Sequence, residues 1–248
     1  MTALHNFAAI VLPSLLVAVM AASLFATPAS ATDEADADNA SAALLPALEE
    51  YVEARKTEFA QISPERREQL APLTAFVRSK IDAGQPVSLN FICTHNSRRS
   101  HMSQLWAQVA ATHFDLPGVR TYSGGTEWTA FNPRAVAAVQ RAGFEVKRTT
   151  DDANPVYHVQ YSPYLPPMTC FSKIYDGAPN PRESLAAVMV CNDADENCPA
   201  VLGAEARISL PFVDPKVSDG TPAEAATYDE RCAQIARELL YAMSRVME

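Results

Sequence analysis

Residues 87–100 read VSLNFICTHNSRRS, and this stretch decides the fold. Val87 to Ile92 is a short apolar run behind the turn signal Gly84, Gln85, Pro86, the pattern of a buried strand. Helical periodicity resumes with Met102, Leu105, Trp106 and Val109. Between the two, Cys93, Thr94, His95, Asn96, Ser97, Arg98, Arg99 and Ser100 spell C-x5-R-S. A strand therefore delivers a cysteine into a loop that opens a helix, whose unpaired N–H groups and dipole favour an oxyanion. The same field favours thiolate over thiol, which makes Cys93 a candidate nucleophile. Ser100 is placed to donate a hydrogen bond to that thiolate, and Asn96 to bridge the loop. Arg99 carries a planar fork that can grip two oxygens of a tetrahedral anion. The loop from Thr94 through His95, Asn96, Ser97 and Arg98 to Arg99 is the expected oxyanion cradle. C-x5-R alone has a bland alternative, a buried structural cysteine, and it is the flanking strand, serine and helix that favour the cradle.

Upstream, residues 40–83 contain no glycine and are rich in Ala, Leu, Glu and Arg, which favours helix. Leu44, Leu45, Leu48, Tyr51, Val52 and Phe59 recur at helical spacing, and Ser63 before Pro64 is a cap with proline at the first helical position. A second helix would bury Leu70, Leu73, Phe76, Val77 and Ile81 and stop at Gly84. Further upstream, none of the 29 acidic or 20 basic residues falls in the first 31 positions. Phe7 to Ala26 is almost wholly apolar, and Ala29-Ser30-Ala31 is an A-x-A processing signal, so residues 1–31 read as a signal peptide and the mature chain as exported, periplasmic or secreted. Cleaved, it would have no stable membrane insertion; the alternative is an uncleaved anchor with the rest of the chain outside the cytoplasm. The organisation expected is a signal peptide over 1–31, a helical extension over 32–86 and a catalytic domain over 87–248. A net charge of -9 argues against a nucleic-acid partner, which requires clustered cations.

Downstream, Thr121 to Gly125 (TYSGG) reads as a second strand and turn, and Asn132 to Gly143 (NPRAVAAVQRAG) as a helix with a glycine stop. Ala206 to Leu210 reads as a last strand, followed by Asp214 and Pro215. Together with C-x5-R-S these segments resemble the low-molecular-weight protein tyrosine phosphatase superfamily over roughly residues 87–248. The resemblance implies a three-layer α/β sandwich with a central parallel four-stranded sheet. It also implies Cys93 as nucleophile and Asp214 as the general acid that protonates a leaving oxygen.

Val188 to Val190 precedes Cys191, and Cys198 follows with an acidic stretch between them. The spacing suits neither a C-x-x-C redox motif nor a zinc knuckle, and a structural disulfide is the plain reading. The string C-x-D-A-D-x-N-C-P nevertheless resembles the redox segment of the thioredoxin-coupled arsenate reductases, which share the phosphatase fold. That resemblance implies Cys191 as the thiol that attacks a Cys93–arsenic adduct and Cys198 as the resolving thiol. The substrate expected is a small oxyanion or a phosphotyrosine-type ester, with a thioredoxin-like or other dithiol reductant as partner in the first case.

Three departures from the family pattern stand out. His95 replaces a glycine, which puts a side chain at a tight backbone position or shifts the loop, and could lend charge to the thiolate. Arg98 replaces a cysteine and adds a cation. Residues 148–187 are a Pro- and Tyr-rich insertion, in which Val156 to Tyr161 and Thr169 to Tyr175 read as a hairpin around SPYLPP. Thr221, Pro222 and Glu224 read as a capping box opening a last helix that carries Cys232, Ile235, Leu239, Leu240 and Met243. Cys170 and Cys232 are either buried thiols or a disulfide. His101, His113 and His158 lack ligand spacing, so neither metal nor cofactor is expected.

Overall fold

The computed structural model of the protein describes residues 43–197 and 200–248. The leader read as a signal peptide lies outside the described residues, and so does Cys198. Among the described residues no helix is long and apolar enough to cross a membrane.

The described residues open with helices α1 (Pro46–Lys56) and α2 (Pro64–Asp82), then strand β1 (Val87–Cys93), helix α3 (Arg99–His113), strand β2 (Val119–Gly125) and helix α4 (Pro133–Arg141). Three short strands follow, β3 (Glu145–Arg148), β4 (Tyr157–Gln160) and β5 (Met168–Cys170). Strand β6 (Leu185–Met189), helix α5 (Asn192–Asn197), strand β7 (Ala204–Ser209) and helix α6 (Glu224–Ser244) complete it. The central sheet has the order β2-β1-β6-β7, and every pair in it is parallel. All four strands therefore end on one edge. Chain order reverses between β1 and β6, and that is where an open parallel sheet leaves a crevice at its carboxyl ends.

Helix α3 ties this sheet to the helices before it. Trp106 on α3 is fully buried, stacks on Tyr51 of α1 at 5.2 Å, meets Phe144 edge-on at 5.1 Å, and donates from Nε1 to Cys232 Sγ of α6 across 3.2 Å. Leu48, Val52, Leu70, Leu73 and Val77 join the same core, each such side chain contributing about 1.5–3 kcal/mol of transfer free energy. Helix α2 starts as its sequence suggests: Ser63 Oγ accepts from Arg66 N across 3.2 Å with Pro64 behind it. It ends where Gly84 turns the chain at φ 63°.

Several local expectations need correction. The hairpin pairs β4 with β5, but the second strand is shorter than Thr169 to Tyr175, because beyond Cys170 the chain turns to bridge Ile174 to Gly125. A third strand, β3, pairs with β4; its EVKR is polar and mostly exposed, so it carries no strand pattern. The Thr221 capping box does not form. Glu224 instead accepts from Gly220 N across 2.6 Å, and the Thr221 hydroxyl donates to Ser218 O. Cys170 and Cys232 are separate buried free thiols.

Candidate functional site

The site is built at the carboxyl ends of β1, β6 and β7. Cys93 closes β1 and is 3% exposed, and its Sγ lies 3.1 Å from Ser100 Oγ in the first turn of α3. The neighbours of Ser100 leave its proton available to the sulfur. Lys173 N donates to Asn96 Oδ1 across 2.9 Å, which leaves Asn96 Nδ2 to donate to Ser100 Oγ across 2.9 Å. The Ser100 oxygen is thus an acceptor from Asn96, and its own proton is free for the Cys93 sulfur.

The tight position of the loop is Asn96, at φ 43°, and not His95. Asparagine tolerates this left-handed region better than most residues. The His95 ring is 43% exposed, with Nε2 3.5 Å from Glu127 Oε2, while its carbonyl accepts from Ser172 and Thr129 hydroxyls. The loop is laced to the chain after β2: Thr126 N donates to Cys93 O, Glu127 N to Thr94 O, and Ser97 Oγ to Ala130 O. Gly125 makes this approach possible, since a Cβ there would sit 2.7 Å from Asn96 N and Thr94 O. Gly124 does the same for the insertion, where a Cβ would lie 2.3 Å from Tyr175 Cα.

The two arginines meet a carboxylate. Arg98 Nε and Nη2 donate to Asp214 Oδ1 and Oδ2 across 2.8 and 3.3 Å, and Arg99 Nη2 lies 2.9 Å from Oδ2. Arg99 Nη1 donates to Phe212 O across 3.0 Å, while its buried Nε has no partner among the described residues. Burial pushes the Asp214 carboxyl up, but the Arg98 hydrogen bond, the Arg99 charge and the Lys216 amide outweigh it and hold it below the ordinary carboxylate range. A cavity of about 380 Å³ opens here, lined by Arg99, Asn192, Asp193, Phe212, Val213 and Asp214 among others. It is roomy enough for a small tetrahedral anion.

Cys191 follows β6 and is fully buried, with its Sγ 3.5 Å from Thr94 Oγ1 and 3.4 Å from Ala194 N. Helix α5, which leads from it, is held to β7 by Asp195, whose carboxylate meets Arg207 Nη2 at 2.6 Å and Ser209 Oγ at 2.5 Å. The structure thus gathers Cys93, Thr94, Asn96, Arg98, Arg99, Ser100, Asp214 and Cys191 at one edge. It turns the side chains of His95 and Ser97 to other neighbours. Lys173, Phe212 and Asn192 were missed by sequence reasoning; only the fold brings them to the loop, and no local pattern marks them. His113 also acquires neighbours that its spacing hid, Glu49 and Glu53, but Lys56 Nζ already sits 2.7 Å from Glu53 and 3.1 Å from His113 Nε2.

No family model matches the chain. Among curated proteins it is similar to an arsenate reductase of Staphylococcus aureus (strain Newman), with 30% identity over 115 residues that cover 46% of this chain and 67% of the relative. Among solved structures it is similar to a low-molecular-weight phosphotyrosine phosphatase from Vibrio cholerae O395, with a TM-score of 0.43 and 14% identity over 64% of this chain and 94% of that one. An arsenate reductase in its phosphate-binding state gives a TM-score of 0.42 and 17% identity over 64% and 98%.

Proposed function

The chain belongs to the family of the arsenate reductase that it matches, and from that premise we propose that it is a thiol-based arsenate reductase with the cysteine-loop chemistry of the low-molecular-weight protein tyrosine phosphatases. In this reading the oxyanion enters the Cys93 loop, and one of its oxygens takes up the orphan N–H of Arg99 Nε. The Cys93 thiolate attacks arsenic, an As–S bond forms, and an arsenate hydroxyl leaves as water. The Cys191 thiolate then attacks Cys93 Sγ; the S–S bond forms, the As–S bond breaks, and its electron pair stays on arsenic, which departs as arsenite. Cys198 attacks Cys191 in turn, frees Cys93, and leaves a disulfide for an external dithiol to reduce.

The observation that carries this reading is the contact of Cys191 Sγ with Thr94 Oγ1 at 3.5 Å, which sets the second thiol beside the residue that follows the first. Hydrolysis of a phosphoester has no use for that thiol. A second reading, protein tyrosine phosphatase with Asp214 as general acid, draws support from the Asp214 carboxylate on the cavity wall. Cys191→Ser separates the two. It should abolish arsenate reduction with a dithiol donor and leave aryl phosphate hydrolysis nearly intact, and full reductase turnover in that variant would sink the relay. We further propose that the mature protein is exported, so that its reductant acts outside the cytoplasm. Mass spectrometry of the cell-associated protein should then find an N-terminus near Thr32, and an intact Met1 would overturn cleavage.

A further inference from the structure

We propose that Arg98 is a positioning residue that parks Asp214 beside the anion site as a saturated carboxylate, withholding the proton a phosphoester's leaving oxygen needs and so biasing this loop toward arsenate. The proposal rests on the reading of Cys93 as the nucleophile.

The geometry leaves little room for a proton. A carboxylate has about four lone-pair directions. Arg98 Nε and Lys216 N address Oδ1 at 2.8 and 3.1 Å, and Arg98 Nη2 and Arg99 Nη2 address Oδ2 at 3.3 and 2.9 Å. Arg98 Nε, Arg98 Nη2 and Lys216 N donate hydrogen bonds, Arg99 Nη2 adds its charge at ion-pair distance, and protonation would set an O–H against one of these N–H groups. When an anion claims Arg99, the two Arg98 contacts remain and still hold the carboxylate. Among the described residues, the other ionisable groups facing this pair include Cys93 beside Arg98, Asp193 across the cavity, and Tyr228 on α6, whose hydroxyl donates to Asp219 across 2.8 Å. None of them supplies a cation that could replace Arg98. The Arg98 side chain is only 11% exposed, so solvent screens the pair weakly.

The chemical consequence differs between the two substrates. For an ester, the S–P bond forms as the P–O bond breaks, and the departing alkoxide or phenoxide brings no proton; a neutral acid must donate one. Protonated arsenate brings its own, which can move to the departing hydroxyl and leave as water. An ionised Asp214 therefore handicaps the first reaction and not the second.

The test compares the wild-type mature chain with Arg98→Ala and Arg98→Lys. Two esters are used, phenyl phosphate, whose leaving group demands a proton, and 4-nitrophenyl phosphate, whose leaving group does not. Asp214 is titrated separately by carboxyl carbon NMR, with Asp214→Asn to assign the resonance. Arg98→Ala should raise the Asp214 midpoint by about one pH unit and raise the phenyl-to-nitrophenyl rate ratio near neutral pH about tenfold. Arg98→Lys, which keeps a charge without the fork, should fall between and guards against a folding defect. An unmoved Asp214 midpoint, or a moved midpoint with an unchanged ratio, overturns the proposal. If no variant hydrolyses either ester the proposal is overturned, and arsenate reduction by the same preparation then tells whether the nucleophile reading falls with it or stands.

Discussion

The backbone amide of Lys173 donates to Asn96 Oδ1 across 2.9 Å, so the insertion between β3 and β6 sets the orientation of a side chain in the cysteine loop. The amide nitrogen of Asn96 is thereby committed to Ser100, and the Ser100 proton to Cys93. Asn96→Asp breaks this sequence of donors. A carboxylate would draw the Ser100 proton to itself and away from sulfur. Alkylation of Cys93 by iodoacetamide at neutral pH should slow about tenfold, the weight of one net hydrogen bond. Ser100→Ala should slow it comparably, and unchanged alkylation in both would remove Ser100 from the site.

Cys170 and Cys232 should be dispensable for turnover. Burial pushes both thiols up to about 12, despite the Lys173 charge near Cys170 and the Trp106 hydrogen bond to Cys232. Neither is a thiolate near neutrality, so neither can enter thiol exchange. The double variant Cys170→Ala, Cys232→Ala should keep wild-type reductase turnover while losing about 1–2 kcal/mol of stability in urea unfolding. Loss of turnover in a folded double variant would add one of them to the relay.

Acid should destabilise the fold partly through His101. Its ring is fully buried, stacked on Phe131 at 4.2 Å with Nδ1 3.2 Å from Ser123 Oγ. Burial first, and then the Lys173 charge, hold it well below the ordinary histidine value of 6.5, against an opposing Asn96 backbone contact. The unfolded chain therefore binds a proton near pH 6.5 that the folded chain refuses. Stability from this residue is complete above that pH and is lost as pH falls below it, by at most about 1.4 kcal/mol per pH unit. His101→Gln should flatten that part of the profile in thermal melts from pH 7.5 to 5.

Asp195 belongs to the stretch that resembles a redox segment, but its contacts in the fold are a clasp on Arg207 and Ser209. Asp195→Ala should loosen α5, raising amide exchange over residues 192–197 about tenfold while leaving the exchange of β1 unchanged. If the Cys191 segment must move during turnover, the same variant should alter reductase kcat more than KM. Unchanged exchange would mean that Asp195 does not hold the helix.

What could be read in the sequence was whatever repeats or ends locally. The strand, loop and helix around Cys93 announce themselves by a change of period, and Ser63, Pro64 and Gly84 mark helix ends through backbone chemistry that depends on few neighbours. Strand β3 was hidden because EVKR forms a strand only through its pairing with β4, a tertiary event with no residue pattern. The capping box at Thr221 failed for a related reason: Glu224 had a better donor in Gly220, and Arg134 Nε bonds to it at 2.7 Å. At the site, the residue types were visible but their partners were not. Arg98 and Asp214 stand 116 positions apart, and nothing local couples them. The Asn96 side chain looked like a loop bridge, but its partner Lys173 lies in an insertion that sequence reasoning took only as a hairpin.

Trp106 has a bearing on how short this protein can be made. Its ring stacks on Tyr51, meets Phe144 edge-on and is hydrogen-bonded to Cys232, so one side of its shelter is supplied by α1. A shortened chain beginning at β1 would strip that cover and also bare the surface of α6 against which Arg66 binds Glu238 at 2.8 Å. The smallest unit expected to stay soluble on expression therefore reaches back to the start of α1, well ahead of the first residue that takes part in chemistry.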